Sequence, residues 1–144
     1  MQLKLVSWNV NGLRAVAGKP EWEWFSRTEA QVVALQETKA HPDQLSEDVR
    51  DPDGWESHWS WSTVKKGYSG VAVFSKIPSL NVSVELPQPE FQGEGRLLHL
   101  EYPQFHFFNG YFPNGGAEEL DDYGKPTGRF KRVPYKMGFF DAFL

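Results

Sequence analysis

The sequence predicts an α/β fold, and three observations carry that expectation. The chain opens with a strand–loop–helix–strand succession, apolar strand patterns recur as far as residue 111, and one short buried strand ends abruptly in polar residues. That strand is Val32-Val33-Ala34-Leu35, and Gln36-Glu37-Thr38-Lys39 follows it at once. Four apolar residues, two of them β-branched, suit a buried strand. In layered α/β proteins, reacting groups collect where such strands run out into loops. Glu37 is therefore a candidate anchor for Mg²⁺, a cation that takes oxygen ligands and often only one or two protein carboxylates. Taken alone, Glu37 equally suits a helix cap or a side chain facing water.

In chain order, residues 3–8 read as the first strand, with loose alternation. Asn9-Val10-Asn11-Gly12 follows. Asn-Gly is a strong turn signal because both residues tolerate positive φ, so both asparagines have a plain turn role as well. Pro20 opens a helix, fitting a first turn where its missing N–H costs nothing, and Trp22 and Phe25 share one face of it. Residues 41–54 are polar, broken by Pro42, Pro52 and Gly54, and read as a short helix plus loop. Trp55, Ser57, Trp59 and Trp61 recur at a period of two, which suits a strand with an aromatic face. A basic, glycine-punctuated loop, Lys65 to Gly70, precedes the strand Val71–Phe74. Leu80, Val82, Val84 and Leu86 then alternate with Asn81, Ser83 and Glu85, the most regular half-buried strand pattern in the chain.

Pro87 to Gly95 reads as a loop, followed by strands around Arg96–Tyr102 and Phe105–Tyr111. A glycine-rich turn, Phe112 to Gly116, leads into a charged loop carrying Lys125, Arg129, Lys131, Arg132 and Lys136, with no acid between 125 and 136. From Tyr135 the pattern is helical, with Phe139, Phe140, Phe143 and Leu144 apolar. There is no repeat or low-complexity segment. The four histidines read as structural, His106 as a packed residue of an aromatic strand.

Composition bounds the rest. The chain has 144 residues, 15% of them aromatic, including 6 Trp and 11 Phe, which is ample material for a core. A net charge of −4 means that nucleic-acid contacts must come from a local basic patch and not from a global field. The absence of cysteine excludes disulfides, thiolate zinc sites and a Cys nucleophile. No apolar run resembles a signal peptide or reaches transmembrane length, so the expectation is a soluble, cytoplasmic protein.

Four stretches then occur in order: Ser7-Trp8-Asn9-Val10-Asn11-Gly12-Leu13-Arg14-Ala15, Leu35-Gln36-Glu37-Thr38-Lys39, Gly67-Tyr68-Ser69-Gly70-Val71-Ala72, and Asn109-Gly110-Tyr111-Phe112-Pro113-Asn114-Gly115. This series resembles the exodeoxyribonuclease III and AP endonuclease family of the endonuclease/exonuclease/phosphatase superfamily, over essentially the whole chain. The resemblance implies a four-layer α/β sandwich, two packed, mainly antiparallel sheets flanked by helices. It implies Mg²⁺ as cofactor, with Mn²⁺ as the alternative, and double-stranded DNA with abasic sites and 3′ ends as substrate, with no membrane and no obligate protein partner. Carried over by position, Glu37 matches the metal-holding glutamate and Asn9 the asparagine beside metal and phosphate. Tyr111 matches the phosphate-contacting tyrosine, so Tyr111 and Asn9 are the catalytic candidates. Asn11, Arg14, Lys39, Lys66, Tyr68 and Asn114 fall on loops that should line the DNA face. The bland readings stay open beside these: Tyr111 as a strand-end aromatic with a wet hydroxyl, and the basic stretches as solvated faces.

The chemistry suits the residue types. Phosphodiester hydrolysis needs charge neutralisation, which a divalent cation and fixed donors supply. Asparagine amides and a phenol donate without adding negative charge.

The family's Gly-Asp-x-Asn and Ser-Asp-His motifs do not occur among these residues. The expectation is therefore the N-terminal portion, residues 1–144, of a single longer domain, inactive alone, with one sheet mostly present and its packing partner mostly absent. Two rivals remain. One is a phosphatase or sphingomyelinase-like relative on the same fold, separated by substrate. The other is a non-catalytic piece that only binds Mg²⁺ or DNA.

Overall fold

The structure, a computed structural model, describes residues 2–144. The first sheet has the order β1-β2-β4-β3: β1 Leu5–Asn9, β2 Val32–Gln36, β3 Glu56–Ser60 and β4 Val71–Ser75. β1 and β2 run parallel, with Asn9 opposite Gln36 at their ends, so the predicted strand–loop–helix–strand opening is present. The crossover between them contains α1 (Leu13–Val16) and the helix expected from Pro20, which takes 3₁₀ form over Pro20–Arg27. In 3₁₀ geometry residues three apart eclipse. Trp22 and Phe25 accordingly stack with ring centroids 5.0 Å apart and planes 5° from parallel. α2 is the short helix Glu47–Arg50.

The second sheet has the order β5-β6-β7, antiparallel throughout: β5 Asn81–Ser83, β6 Leu97–Glu101 and β7 His106–Gly110. It packs face to face on the first, three strands against four. Val32, Val71 and Val73 of the first sheet meet Leu98, Leu100 and Tyr102 of the second. The opposite face of the first sheet buries Val33, Leu35, Ala72 and Phe74 under α1, α2 and the 3₁₀ segment. Each buried Val, Leu or Phe side chain there contributes about 1.5–3 kcal/mol relative to exposure. On the outer face of the second sheet, Leu97 packs against Phe139 of α3 (Val133–Phe143). Helix, sheet, sheet and helix make four layers. A fully buried polar residue, Asn109, staples the two sheets: its amide donates to the carbonyls of Leu35 (3.0 Å) and Ala72 (2.9 Å) and accepts from Gln36 (2.8 Å).

Three readings need correction. The regular pattern at 80–86 yields only a three-residue edge strand. Leu80 and Val84 stay exposed because nothing packs on the outer edge, and Leu86 leaves the sheet to join the α3 cluster. The charged loop before α3 contains a hairpin, β8 Glu118–Leu120 and β9 Pro126–Phe130, closed around Asp121, whose carboxylate accepts from the Tyr123 and Lys125 amides. His106 is not packed: it is exposed on the outer face of β7, because its neighbour Phe107 takes the inward position.

Candidate active site

β1 and β2 end side by side, and the chain leaves both in left-handed backbone. Asn11 (φ 46°), Glu37 (φ 53°), Lys39 (φ 51°) and Ser69 (φ 52°) are the non-glycine residues with positive φ among those described. Glutamate and lysine adopt this region rarely, at a cost of order 1–3 kcal/mol each, and such strain gathers at functional sites. Backbone bonds between the loops hold it in place. Gly12 and Leu13 amides donate to the carbonyls of Glu37 (2.8 Å) and Thr38 (2.9 Å), while Thr38 and Lys39 amides donate to Gly70 (3.0 Å) and Ser69 (2.9 Å). Gly70 is required where it stands. Its φ is +91°, and a Cβ there would lie 2.2 Å from the Thr38 hydroxyl.

This frame brings together Asn9, Asn11, Glu37, Lys39 and Tyr111. The Asn9 amide donates to the Glu37 carboxylate (3.1 Å), and the Asn9 carbonyl accepts the Asn11 backbone N–H (3.1 Å). Lys39 Nζ donates to Asn11 Oδ1 at 2.7 Å and lies 3.4 Å from Glu37 Oε2. The Tyr111 hydroxyl approaches the same carboxylate. Partial burial pushes the Glu37 carboxyl up, but the donors Asn9, Tyr111 and Lys39 and the lysine charge outweigh it and hold the acid below its ordinary value. Tyr111 moves the other way: burial first, then the bond to and charge of Glu37, raise its phenol. At neutral pH the site is thus one carboxylate beside one protonated phenol.

The remaining candidates lie farther out. Arg14 bridges to the Lys39 carbonyl at 3.3 Å. Lys66 is exposed on the 62–70 loop and, with Tyr68, lines a cavity of about 560 Å³ that reaches His41 and Trp61. Asn114 uses its side-chain oxygen to close its own turn, accepting from Gly116 N at 2.8 Å.

Residues 94 and 96 escaped the sequence reading. Arg96, 4% exposed, donates through Nε to Glu94 (2.6 Å), through Nη1 to the Tyr111 carbonyl (3.1 Å) and through Nη2 to the Tyr68 hydroxyl (2.6 Å). Arg132 adds two bonds to Glu94, at 2.8 and 3.1 Å. Burial alone would raise the Glu94 carboxyl, yet the two guanidinium groups pull it below the ordinary range. The only signal in the sequence was an acid and a base two apart in a loop, which is common on any surface. Its burial depends on Arg132, 38 residues on.

A divalent cation fits the donor set. Glu37 offers an ionised carboxylate, and the Asn9 oxygen keeps a lone pair beyond the one facing Asn11 N–H. No three His, Cys, Asp or Glu side chains converge among the described residues, so the chemistry suits a hard ion that keeps most of its water.

Comparison with known proteins shows the family of the chain. The model of the Endonuclease/Exonuclease/phosphatase family matches residues 6–140. The chain is 39% identical over 122 residues to an exodeoxyribonuclease of Bacillus subtilis, covering 83% of this chain and 47% of the relative. It is 37% identical over 122 residues to the DNA repair nuclease APEX1 of Danio rerio, covering 83% and 39%. Among solved structures, the 3′ phosphatase NExo from Neisseria, bound to a product DNA hairpin, superposes with a TM-score of 0.74 at 25% identity, over 99% of this chain and 50% of that one. The chain spans about half the length of these relatives, or less. Matched over nearly all its residues, with its strained loops gathered at paired strand ends, the chain belongs to the endonuclease/exonuclease/phosphatase family, alongside exodeoxyribonucleases and AP endonucleases.

Proposed function

We propose that these residues form the N-terminal part of the active centre of a Mg²⁺-dependent DNA-repair phosphodiesterase that cuts the backbone 5′ to abasic sites and trims 3′ ends. The observation that carries this reading is the pairing of ionised Glu37, just past the end of β2, with protonated Tyr111, just past the end of β7, edged by Asn9 and Lys39. The relatives' DNA-repair names and the DNA-bound neighbour support the substrate class.

Glu37 and Asn9 would hold the cation, which when bound supplies Lewis-acid neutralisation of phosphate charge. Tyr111, kept protonated, donates its O–H to a non-bridging phosphate oxygen and cannot serve as a base near neutral pH. The Lys39 ammonium adds positive charge at the same edge, and Arg14 and Lys66 hold the flanking backbone. Arg96 is a positioning residue. It is buried too deeply to reach a phosphate, but it accounts for Tyr68's acceptor side and so leaves the Tyr68 O–H free to donate outward. The acid and imidazole of the motifs absent here would come from beyond these residues.

The test is Mg²⁺-dependent cleavage of a duplex carrying one abasic-site analogue. It would compare the 144-residue chain with a C-terminally extended one, each beside Glu37→Ala and Tyr111→Phe. The expected result is no cleavage by the short chain and cleavage by the extended one. Tyr111→Phe should lower the rate about 10²–10³-fold, the usual cost of one transition-state donor, and Glu37→Ala, which removes the carboxylate that would hold the cation, at least as much. Silence from both wild-type chains, or hydrolysis of a phosphoinositide or sphingomyelin instead, would overturn the DNA-repair reading.

A further inference from the structure

Beside the Glu37 edge, residues 40–44 and 61–68 enclose a cavity of about 560 Å³, within the range of about 300–1,000 Å³ usual for small-ligand pockets. Part of its wall is aromatic. Trp61 is half-buried, and the His41 ring meets it edge to face, with centroids 4.8 Å apart and planes at 63°. Both rings stand on stiff backbone. His41 opens the 3₁₀ turn Pro42–Gln44 with a reciprocal cap: its Nδ1 accepts the Asp43 N–H (3.1 Å), and Gln44 Oε1 accepts the His41 N–H (2.9 Å). The Trp61 main chain lies so close to Gly95 that a Cβ there would run into the Trp61 carbonyl carbon, and Thr63 N–H donates to the Gly93 carbonyl at 2.8 Å. The polar lining keeps hydrogen-bonding capacity. The cap uses Gln44 Oε1 and leaves the amide NH₂ without a partner among the described residues. The Ser62 hydroxyl accepts from Lys65 N–H (3.1 Å) and the Tyr68 hydroxyl from Arg96 (2.6 Å), so each still has its own proton to donate. Asp43 is the one carboxylate in the lining. The cavity adjoins the candidate site: Ala40, in its wall, follows Lys39, whose Nζ is 3.4 Å from Glu37 Oε2.

We propose that this cavity takes a nucleobase unstacked from a DNA 3′ end, with its face on Trp61 and its edge on the polar lining. The proposal rests on the DNA-repair reading of the Glu37 site and adds where the end of the substrate is held. A planar heteroaromatic ring suits the lining as a whole. Every base has a π-face for an indole, and stacking of this kind tolerates any sequence. Ring nitrogens and carbonyls of a base accept from Gln44, Ser62 and Tyr68, while a ring or exocyclic N–H donates to Asp43. An apolar ligand would leave those donors unpaired, and a bare phosphate would meet the Asp43 carboxylate and make no use of the indole. Trp61 is the platform because Tyr68 is already engaged: Arg96 and Lys65 lie 5.3 and 5.5 Å from its ring centroid. The exposed Lys66 ammonium, also in the lining, holds the phosphate linked to the base. A base inside a duplex shows a groove only its edge. It reaches the indole after leaving the stack, which costs least where it is already unpaired.

The experiment uses the 144-residue chain and a duplex ending in one unpaired 3′ nucleotide whose base is 2-aminopurine, a fluorophore quenched by stacking. Anisotropy of a label at the far end reads binding. In wild type the 2-aminopurine emission should fall on binding, and this duplex should bind about tenfold tighter than one ending in an abasic nucleotide. Trp61→Ala should remove both the quenching and the advantage, and Trp61→Phe should keep most of both. Lys66→Ala should weaken the two duplexes alike and lower the salt slope by about one. Unquenched emission in the wild-type complex, or equal affinity for the two duplexes, would overturn the proposal and leave the DNA reading standing. Quenching that survives in Trp61→Ala would overturn it as well. No binding to either duplex at low salt would overturn both. Equal quenching of the free 2-aminopurine deoxynucleoside at the same concentration would assign the cavity to free nucleosides and overturn its assignment to a DNA end.

Discussion

Glu37 and Glu94 are both held below the ordinary carboxylate range, yet the groups that hold them differ in kind. Glu37 is partly exposed and takes its bonds from an amide, a phenol and a lysine whose side chain is 38% exposed. Each of those donors can turn to an incoming phosphate, and the carboxylate to a cation, without leaving a charge stranded. Glu94 is buried and held by two guanidinium groups, one of them almost wholly enclosed. Releasing it would leave unpaired charge in a poorly solvated place, which costs far more than an exposed pair gives back. The first carboxylate is built to exchange partners, and the second to keep them. Tyr111 connects the two, with its hydroxyl toward Glu37 and its carbonyl on Arg96.

The largest effect expected from this contrast is on stability. Arg96→Met should cost about 3–5 kcal/mol in denaturant unfolding, the usual result of removing one partner of a buried pair. Glu37→Gln should cost no more than about 1 kcal/mol. Equal losses would break the comparison. Next comes Gly70→Ala, which forces an L side chain to φ +91° and onto the Thr38 hydroxyl. A loss of about 2–4 kcal/mol is expected. Weakened Mg²⁺ binding should accompany it, because Thr38 is the residue next to Glu37. Unchanged Mg²⁺ affinity in a folded Gly70→Ala protein would show that the loop frame does not set the Glu37 geometry.

The same contrast explains what the sequence made legible. Glu37 sits where a buried strand stops, and the strand and its polar edge are adjacent in the chain, so local pattern sufficed. The parallel β1–β2 pair and the positive φ of Asn11 were readable for the same reason. Glu94 and Arg96 were not, because their burial is made by Arg132 and Tyr68, distant in sequence. The hairpin at 118–130 went unread because neither face of it is deeply buried, so it carries no alternation, although Asp121 to Lys125 holds a turn signal. At 80–86 the error ran the other way: clean alternation promised a long strand, but an edge position left Leu80 and Val84 with nothing to pack on.

The smallest effect is the most specific. A carboxylate with a depressed folded-state value contributes stability that is fully present above its unfolded value and is lost as pH falls through the folded one. Wild-type stability should therefore decline below about pH 4.3, the ordinary glutamate value. Glu37, Glu56 and Glu94 all contribute, the second through His58 and Ser79. Removing Glu94 with Glu94→Gln should flatten that decline more than Glu37→Gln, since solvent screens the Glu37 donors more. Mg²⁺ then separates the two acids. At ten times its dissociation constant a cation that binds only the folded chain adds about 1.4 kcal/mol. That increment, read as a rise in melting temperature at pH 7, should be present in wild type and absent in Glu37→Gln. It should persist at reduced size in Glu94→Gln, where the exchangeable carboxylate is intact and only its frame has loosened. A Mg²⁺ increment that survives in Glu37→Gln would place the cation elsewhere and leave Glu37 as a second structural acid, held by its neighbours in the way Glu94 is.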